Sequence, residues 1–150
     1  MKIIIGSDHR GVNLKNEIIT YLQEEGIDVI SSKIPNHETD DYPDFAFDVA
    51  KEVLKSEENL GILICGNGIG ISIAANKVKG IRCARVVNSD DAFKAKNHNG
   101  VNMIAFGGLK EEVAKEIVDI FITTKKASEE RHLKRIQKII DYENGKNYEY

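Results

Sequence analysis

Leu60-Gly61-Ile62-Leu63-Ile64-Cys65-Gly66-Asn67-Gly68-Ile69-Gly70-Ile71-Ser72 is the stretch on which the reading of this 150-residue chain turns. Its first five residues form an apolar run with almost no alternation, as in a strand buried on both faces. Three glycines then fall within five residues, where backbone amides can converge at the start of a helix. A buried strand passing through a tight turn into a helix is the unit from which parallel sheets are built. Comparable short runs recur at residues 3–5, 27–30, 81–87 and 101–106. Between them lie stripes at helical spacing: Leu14, Ile18, Tyr21 and Leu22 within 11–25; Phe45, Val49, Val53 and Leu54 within 44–56; Val113, Ile117, Ile120 and Phe121 within 111–123. Pro43 suits the first turn of the second of these helices, with Asp44 beside the positive end of its dipole. A last helix is expected over about 128–143, with Leu133, Ile136, Ile139 and Ile140 on one side, and the tail 144–150 is expected to fray.

Five strands alternating with helices predict right-handed crossovers and an α/β fold with helices on both faces of a five-stranded parallel sheet. A helical bundle fits poorly, because the apolar runs are short and end in Gly, Asn or Asp. The length suits one domain over residues 1–150. No internal repeat is visible, and the polar loop 31–42 is long enough to be functional.

Composition excludes several functions. Hydrophobic residues make up 41% and charged residues 30%, which is ordinary globular usage and argues against disorder. A net charge of −3 without a basic cluster argues against binding nucleic acid or a membrane surface. No apolar stretch approaches the roughly 20 residues needed to span a bilayer. Residues 1–25 carry no signal-peptide pattern. Two cysteines, Cys65 and Cys83, fit a reducing compartment, so a cytoplasmic location is expected. Of 21 basic residues only five are arginines, the side chain suited to fork-like capture of phosphate.

In a doubly wound sheet ligands bind beyond the carboxyl ends of the strands. Asp8 and His9 follow the first run, Cys65 to Ser72 follow the third, and His98-Asn99-Gly100 precede the fifth. The spacing Gly66-x-Gly68-x-Gly70 is neither a dinucleotide fingerprint nor a Walker loop. By itself it is either a tight turn or a nest of amides for an anion. Cys65 at its head favours the second reading, since a thiol there has a setting that promotes the thiolate. The alternative is a buried, inert thiol, the reading that Cys83 takes. Asp8 and His9 could orient an imidazole on a ligand, or Asp8 could cap a helix beside a solvent-facing His. His98 and Asn99 could equally form a helix end and turn. Arg131 and Arg135 lie at i and i+4 on one helical face. They could clamp a phosphate, or form a solvated face paired with Glu129 and Glu130, the commoner case for such a pair in isolation.

Taken together, Gly6-Ser7-Asp8-His9, Asp41-Tyr42-Pro43, the block 61–77, Gly80-Ile81-Arg82, His98-Asn99, and Arg131-His132 with Arg135 resemble the ribose-5-phosphate isomerase B family, which includes galactose-6-phosphate isomerase subunits. The likeness runs in order from residue 3 to about 140. The resemblance implies a Rossmann-like three-layer α/β/α sandwich and an aldose–ketose isomerase that acts on a phosphorylated sugar without metal or organic cofactor. It implies a homodimer, with a homotetramer as the alternative, and a site completed at the subunit interface. By position, Cys65 is implied as the base at C2, His98 as the group that opens the furanose ring, and Asn67 as part of the catalytic loop. Asp8 and Tyr42 are implied contacts to sugar oxygens, and the amides of Gly66, Gly68 and Gly70 the anion hole. His9, Arg131 and Arg135 are implied phosphate ligands. Asn99 comes with His98 from the neighbouring subunit. The implied substrate pair is ribose 5-phosphate and ribulose 5-phosphate. Six-carbon phosphosugars (galactose or allose 6-phosphate) and a non-catalytic phosphosugar binder are the alternatives.

Five positions depart from the family's pattern. Asn67 stands where a Thr or Ser is usual; an amide donates a hydrogen bond but does not relay a proton as a hydroxyl does. Leu109 replaces a basic residue, Glu129 and Glu130 replace glycines, and Arg85 falls at an apolar strand position.

Overall fold

The computed structural model describes residues 1–147. Its five strands are β1 (Ile3–Ser7), β2 (Val29–Ser31), β3 (Leu60–Ile64), β4 (Cys83–Arg85) and β5 (Met103–Phe106). They form one parallel sheet in the order β2-β1-β3-β5-β4. The helices are α1 (Val12–Glu24), entered through a 3-10 turn at His9–Gly11, then α2 (Tyr42–Val53), α3 (Ile69–Ala75), α4 (Ser89–Asn97), α5 (Glu111–Thr123) and α6 (Glu130–Glu143). Among the described residues no helix is long and apolar enough to cross a membrane.

Successive strand residues point to opposite faces, and both faces are covered. Ile3, Ile5, Ile62, Ile64, Ile104 and Phe106 face the layer of α1, α4 and α5, where Ile18, Leu22, Ala95, Ile117 and Phe121 meet them. Ile4, Leu63, Cys65, Met103 and Ala105 face α2 and α3, where Phe45, Val49, Val53 and Ile71 meet them. This double burial explains why β1, β3 and β5 read as continuous apolar runs. The fold is the three-layer α/β/α sandwich.

The expected boundaries differ in instructive ways. The third run is β3 to the residue. The fourth run, 81–87, holds only three strand residues: β4 is an edge strand, and Val87 beyond it is 40% exposed. The second helix begins two residues earlier than its stripe, because Pro43 sits in its first turn. α4 has no expected counterpart, since its buried face is Ala92, Ala95 and Lys96 while its large apolar residue, Phe93, is exposed. Lys96 is buried because its Nζ donates to the carbonyls of Phe121 (2.6 Å) and Ile122 (3.2 Å) near the end of α5. Of the tail expected to fray, residues 148–150 lie outside the described residues.

Two glycines let the loops after β3 and β5 touch. A Cβ on Gly107 would lie 1.9 Å from the Cys65 carbonyl oxygen and 2.8 Å from the Asn67 nitrogen. Gly68 has φ +80° and would meet the Phe106 backbone at 2.7 Å. Neither contact can be relieved by a side-chain rotation. Gly107→Ala is expected to lower unfolding stability by about 1–3 kcal/mol, read as a lower urea midpoint at unchanged slope.

Candidate active site

The strand order reverses between β1 and β3, the place where open α/β sheets bind ligands. The backbone there is tightly sewn. Asp8 N–H donates to the Ile64 carbonyl (3.2 Å), and Cys65 N–H donates to the Phe106 carbonyl (3.2 Å). The carboxyl ends of β1, β3 and β5 therefore stand side by side, and Cys65 lies in the middle.

Cys65 is buried, and its Sγ accepts the Gly68 N–H at 3.2 Å. Asn67 Oδ1 accepts the Ile69 N–H at 3.0 Å, which leaves Nδ2 as the side chain's donor. The Tyr42 ring packs on Gly70, where a Cβ would lie 2.6 Å from the ring. A cavity of about 420 Å³ opens beside Cys65 and Gly66, lined also by Arg10, Glu17, Leu109 and Glu111. Leu109 packs against the core, and Lys110 is the N-terminal cap residue of α5. The cation in this cavity is thus Arg10, whose guanidinium lies against Gly66. Cys83 is also buried, and burial pushes its thiol up to about 12, so it stays protonated.

Asp8 does what its capping reading anticipates: its carboxylate accepts the Arg10 N–H at 3.0 Å at the start of the 3-10 turn. His9 is held by a residue the sequence did not single out. Asp40 Oδ1 accepts the His9 N–H at 2.8 Å and lies 2.7 Å from His9 Nδ1. Burial opposes ionisation of Asp40. Hydrogen bonds from the Asn36 and His9 side chains, and from the backbone of His9 and His37, outweigh it and hold the carboxyl well below the usual carboxylate range. Asn36 also donates to the Ser7 carbonyl at 2.7 Å and accepts from Lys15 Nζ at 3.1 Å. The polar loop is in this way tied to β1 and α1, with one ring edge of His9 committed to Asp40.

The remaining candidates lie elsewhere. Gly61 pairs with Met103 and Ile64 with Phe106. Cys65 therefore follows the carboxyl end of the sheet, whereas His98 and Asn99 precede the amino end of β5. Within one chain these groups do not share one end of the sheet. His98 caps the C-terminus of α4 and stacks on His132 of α6, with centroids 4.3 Å apart and planes 16° apart. Phe93 meets it edge-on at 6.0 Å. Arg131 and Arg135 flank His132 on α6. Arg131 Nε donates to Glu129 at 3.0 Å in an exposed pair, an interaction of small energetic weight. His132 had no assigned role in the sequence. Among the described residues no group of three or more His, Cys, Asp or Glu side chains could hold a metal ion.

The two unassigned arginines have partners. Arg82 donates from Nε (3.2 Å) and Nη2 (2.6 Å) to the Gly100 carbonyl, tying β4 to the turn after His98. Arg85 Nε donates to the Asn67 carbonyl at 2.8 Å.

Burial lowers the His132 pKa, and the neighbouring His98 and Arg131 lower it further, against Glu129. As pH falls below about 6.5 the unfolded chain then takes up this proton before the folded chain does. The stability His132 contributes is present above that pH and is lost on acidification. Thermal midpoints measured between about pH 7.5 and pH 5.5 should fall more steeply for wild type than for His132→Phe, which keeps a stacking ring but cannot titrate.

Comparison with known proteins identifies the family. The model of the Ribose/Galactose Isomerase family matches residues 3–139. Ribose-5-phosphate isomerase B of Escherichia coli is 41% identical over 148 residues, covering 97% of this chain and 99% of that protein. The structure of Clostridium thermocellum ribose-5-phosphate isomerase B superposes with a TM-score of 0.89 at 45% identity, covering 97% of this chain and 99% of the other. The Mycoplasma genitalium enzyme, solved with bound ribulose-5-phosphate, gives a TM-score of 0.89 at 40% identity over 95% of this chain and 96% of the other. With almost every element inside the matched span, the chain belongs to the ribose/galactose isomerase family.

Proposed function

We propose that this chain interconverts ribose 5-phosphate and ribulose 5-phosphate through an enediolate, with Cys65 as the base. The observation that carries the reading is the Cys65 thiol at the β1/β3 switch point, receiving the Gly68 N–H at the head of a glycine-rich turn. Isomerisation takes the proton from C2 and moves the C–H electron pair toward the C1 carbonyl, whose oxygen gains a proton; the C2 hydroxyl then gives up its proton as the C2 carbonyl forms and C1 is reprotonated. A positioned base assists by roughly two to four powers of ten. The amides of Gly66 and Gly70 stabilise charge on the enediolate oxygens only as it appears, while the Gly68 N–H of the same loop serves the Cys65 sulfur. Asn67 donates a hydrogen bond to the same oxygens through Nδ2. Asp8 and Tyr42 contact the sugar hydroxyls. The phosphate, remote from the reacting carbons, supplies orientation through His9, Arg131 and Arg135, with Arg10 supplying a cation on the side where Leu109 carries none.

His98, Asn99, Arg131 and Arg135 reach Cys65 from a second copy of the chain, so the working unit is a homodimer of single-domain subunits spanning residues 1–150. Support comes from their position at the opposite end of the sheet. It comes also from α6, which leaves Leu133, Ile139 and Tyr142 exposed beside a groove of about 530 Å³ at the amino ends of the strands. The two thiols suit the reducing cytoplasm.

A coupled assay tests the chemistry. Wild type should turn over ribose 5-phosphate, and Cys65→Ala should lose about two to four powers of ten in kcat. Full activity in Cys65→Ala removes the assigned base, and no activity on any aldose phosphate removes the reading. Asn67 and Leu109 alter the pocket at its catalytic and phosphate ends, so allose and galactose 6-phosphate belong in the same panel. A higher kcat/KM on either would move the substrate to six carbons. Thiol alkylation should abolish turnover, with substrate protecting.

Subunit sharing has its own test. Cys65→Ala and His98→Asn are each expected to be inactive. Mixed after dissociation and reassociation, they should regain activity that neither has alone, because one site of each hybrid dimer is intact. Failure to complement in demonstrated hybrids would rule out the shared site.

A further inference from the structure

Arg85 is an exposed side chain on an edge strand, and nothing in the proposed isomerisation chemistry uses it. Its Nε donates to the Asn67 carbonyl at 2.8 Å. That carbonyl belongs to the same peptide unit as the Gly68 N–H, and the Gly68 N–H is the donor to Cys65 Sγ at 3.2 Å. A trans peptide is planar, with its oxygen and its amide hydrogen on opposite sides. Holding the oxygen toward β4 therefore aims the hydrogen toward Cys65. The φ of +80° at Gly68 lets the chain turn directly after this unit, and Asn67 Oδ1 on the Ile69 N–H fixes the next one.

We propose that Arg85 is a positioning residue for the thiol: it locks and polarises the Asn67–Gly68 peptide so that its N–H stabilises the Cys65 thiolate. A guanidinium on the carbonyl withdraws electron density from the amide and strengthens its N–H as a donor, as in other charge-assisted hydrogen-bond chains. A thiolate gains more from a strong donor than a thiol does, so the arrangement favours the reactive form. Arg85 touches neither Cys65 nor substrate in this scheme. It acts through one peptide bond. The step from thiolate stabilisation to turnover rests on Cys65 being the base, whereas the effect on the thiol itself does not.

The other ionisable groups around Cys65 are Asp8 after β1, Arg10 in the 3-10 turn, Glu17 on α1, Tyr42 on α2 and Glu111 on α5. All are retained in variants at position 85, so their titration is common to every profile. Cys83 is distinguished by peptide mapping and is held protonated by its burial.

The experiment follows iodoacetamide alkylation of Cys65 against pH in wild type, Arg85→Met and Arg85→Lys, with kcat and KM measured on the same samples. For Arg85→Met the rate at neutral pH should fall about tenfold, equivalent to one unit of thiol titration. The profile should move to higher pH, the high-pH plateau should be unchanged, and kcat should fall with KM within about twofold. Arg85→Lys keeps the charge without the fixed fork and should recover part of both effects. An alkylation profile in Arg85→Met that overlays wild type overturns the proposal. So does a fall in thermal midpoint accompanied by a raised plateau, the signature of a merely loosened loop. If Arg85→Met fails to fold, Arg85→Ala decides: a profile identical to wild type there would equally overturn it. If Cys65→Ala proves fully active, the function reading fails while the alkylation profiles still report on Arg85.

Discussion

Every strand of this sheet points the same way, and the separation of Cys65 from His98 depends on that polarity. In a parallel sheet all carboxyl ends lie on one edge and all amino ends on the other. Residues that come after a strand and residues that precede one are thereby held apart by the length of the strands. Cys65 follows β3, and Asp8 and His9 follow β1. His98 and Asn99 precede β5, and α6 meets them there through the His98–His132 stack. One chain thus carries two groups of candidate residues that its own topology keeps apart. The proposed function brings the two groups together through a second copy presenting the complementary edge.

The carboxyl edge is crowded at backbone level. Gly107 lies so close to the Cys65 carbonyl that no Cβ fits, and Gly68 is wedged against Phe106. The loops after β3 and β5 are thereby packed backbone on backbone beside the Cys65 thiol. The three side chains that shape the first of these loops come from distant elements. Tyr42 from α2 covers Gly70, Arg10 from the 3-10 turn lies against Gly66, and Arg85 from β4 holds the Asn67 carbonyl. Rigid placement of amide donors is what makes them effective toward a developing anion, because no reorganisation is needed during the reaction.

Legibility of the fold tracks burial on both faces. β3 is readable to the residue because Leu60 to Ile64 are all buried. β4 is overextended in the sequence because Val86 and Val87 look like strand, although only Val86 is buried. α4 escapes the helical-stripe criterion because its core face is two alanines and a lysine whose charge caps α5. α3 is seven residues long and carries Gly70, too short for periodicity to register. Among site residues, Cys65 and the glycine loop are conspicuous locally. Asp40 is not, since its bond to His9 crosses 31 positions and its loop has no periodicity to interpret.

The sequence by itself determined the parallel α/β architecture, the glycine loop with its thiol, and the membership of His9, His98, Arg131 and Arg135 in one recognisable pattern. Those features are local, set by hydrophobic period, glycine spacing and residue type along the chain. Only the tertiary structure decided that Cys65 and His98 stand on opposite edges, that Asp40 fixes His9, that His132 stacks on His98, and that Arg85 reaches the Asn67 carbonyl. Each of these depends on which strands neighbour one another and in what register. Non-local pairing is set by the packing of the whole sheet, and no window of sequence contains it.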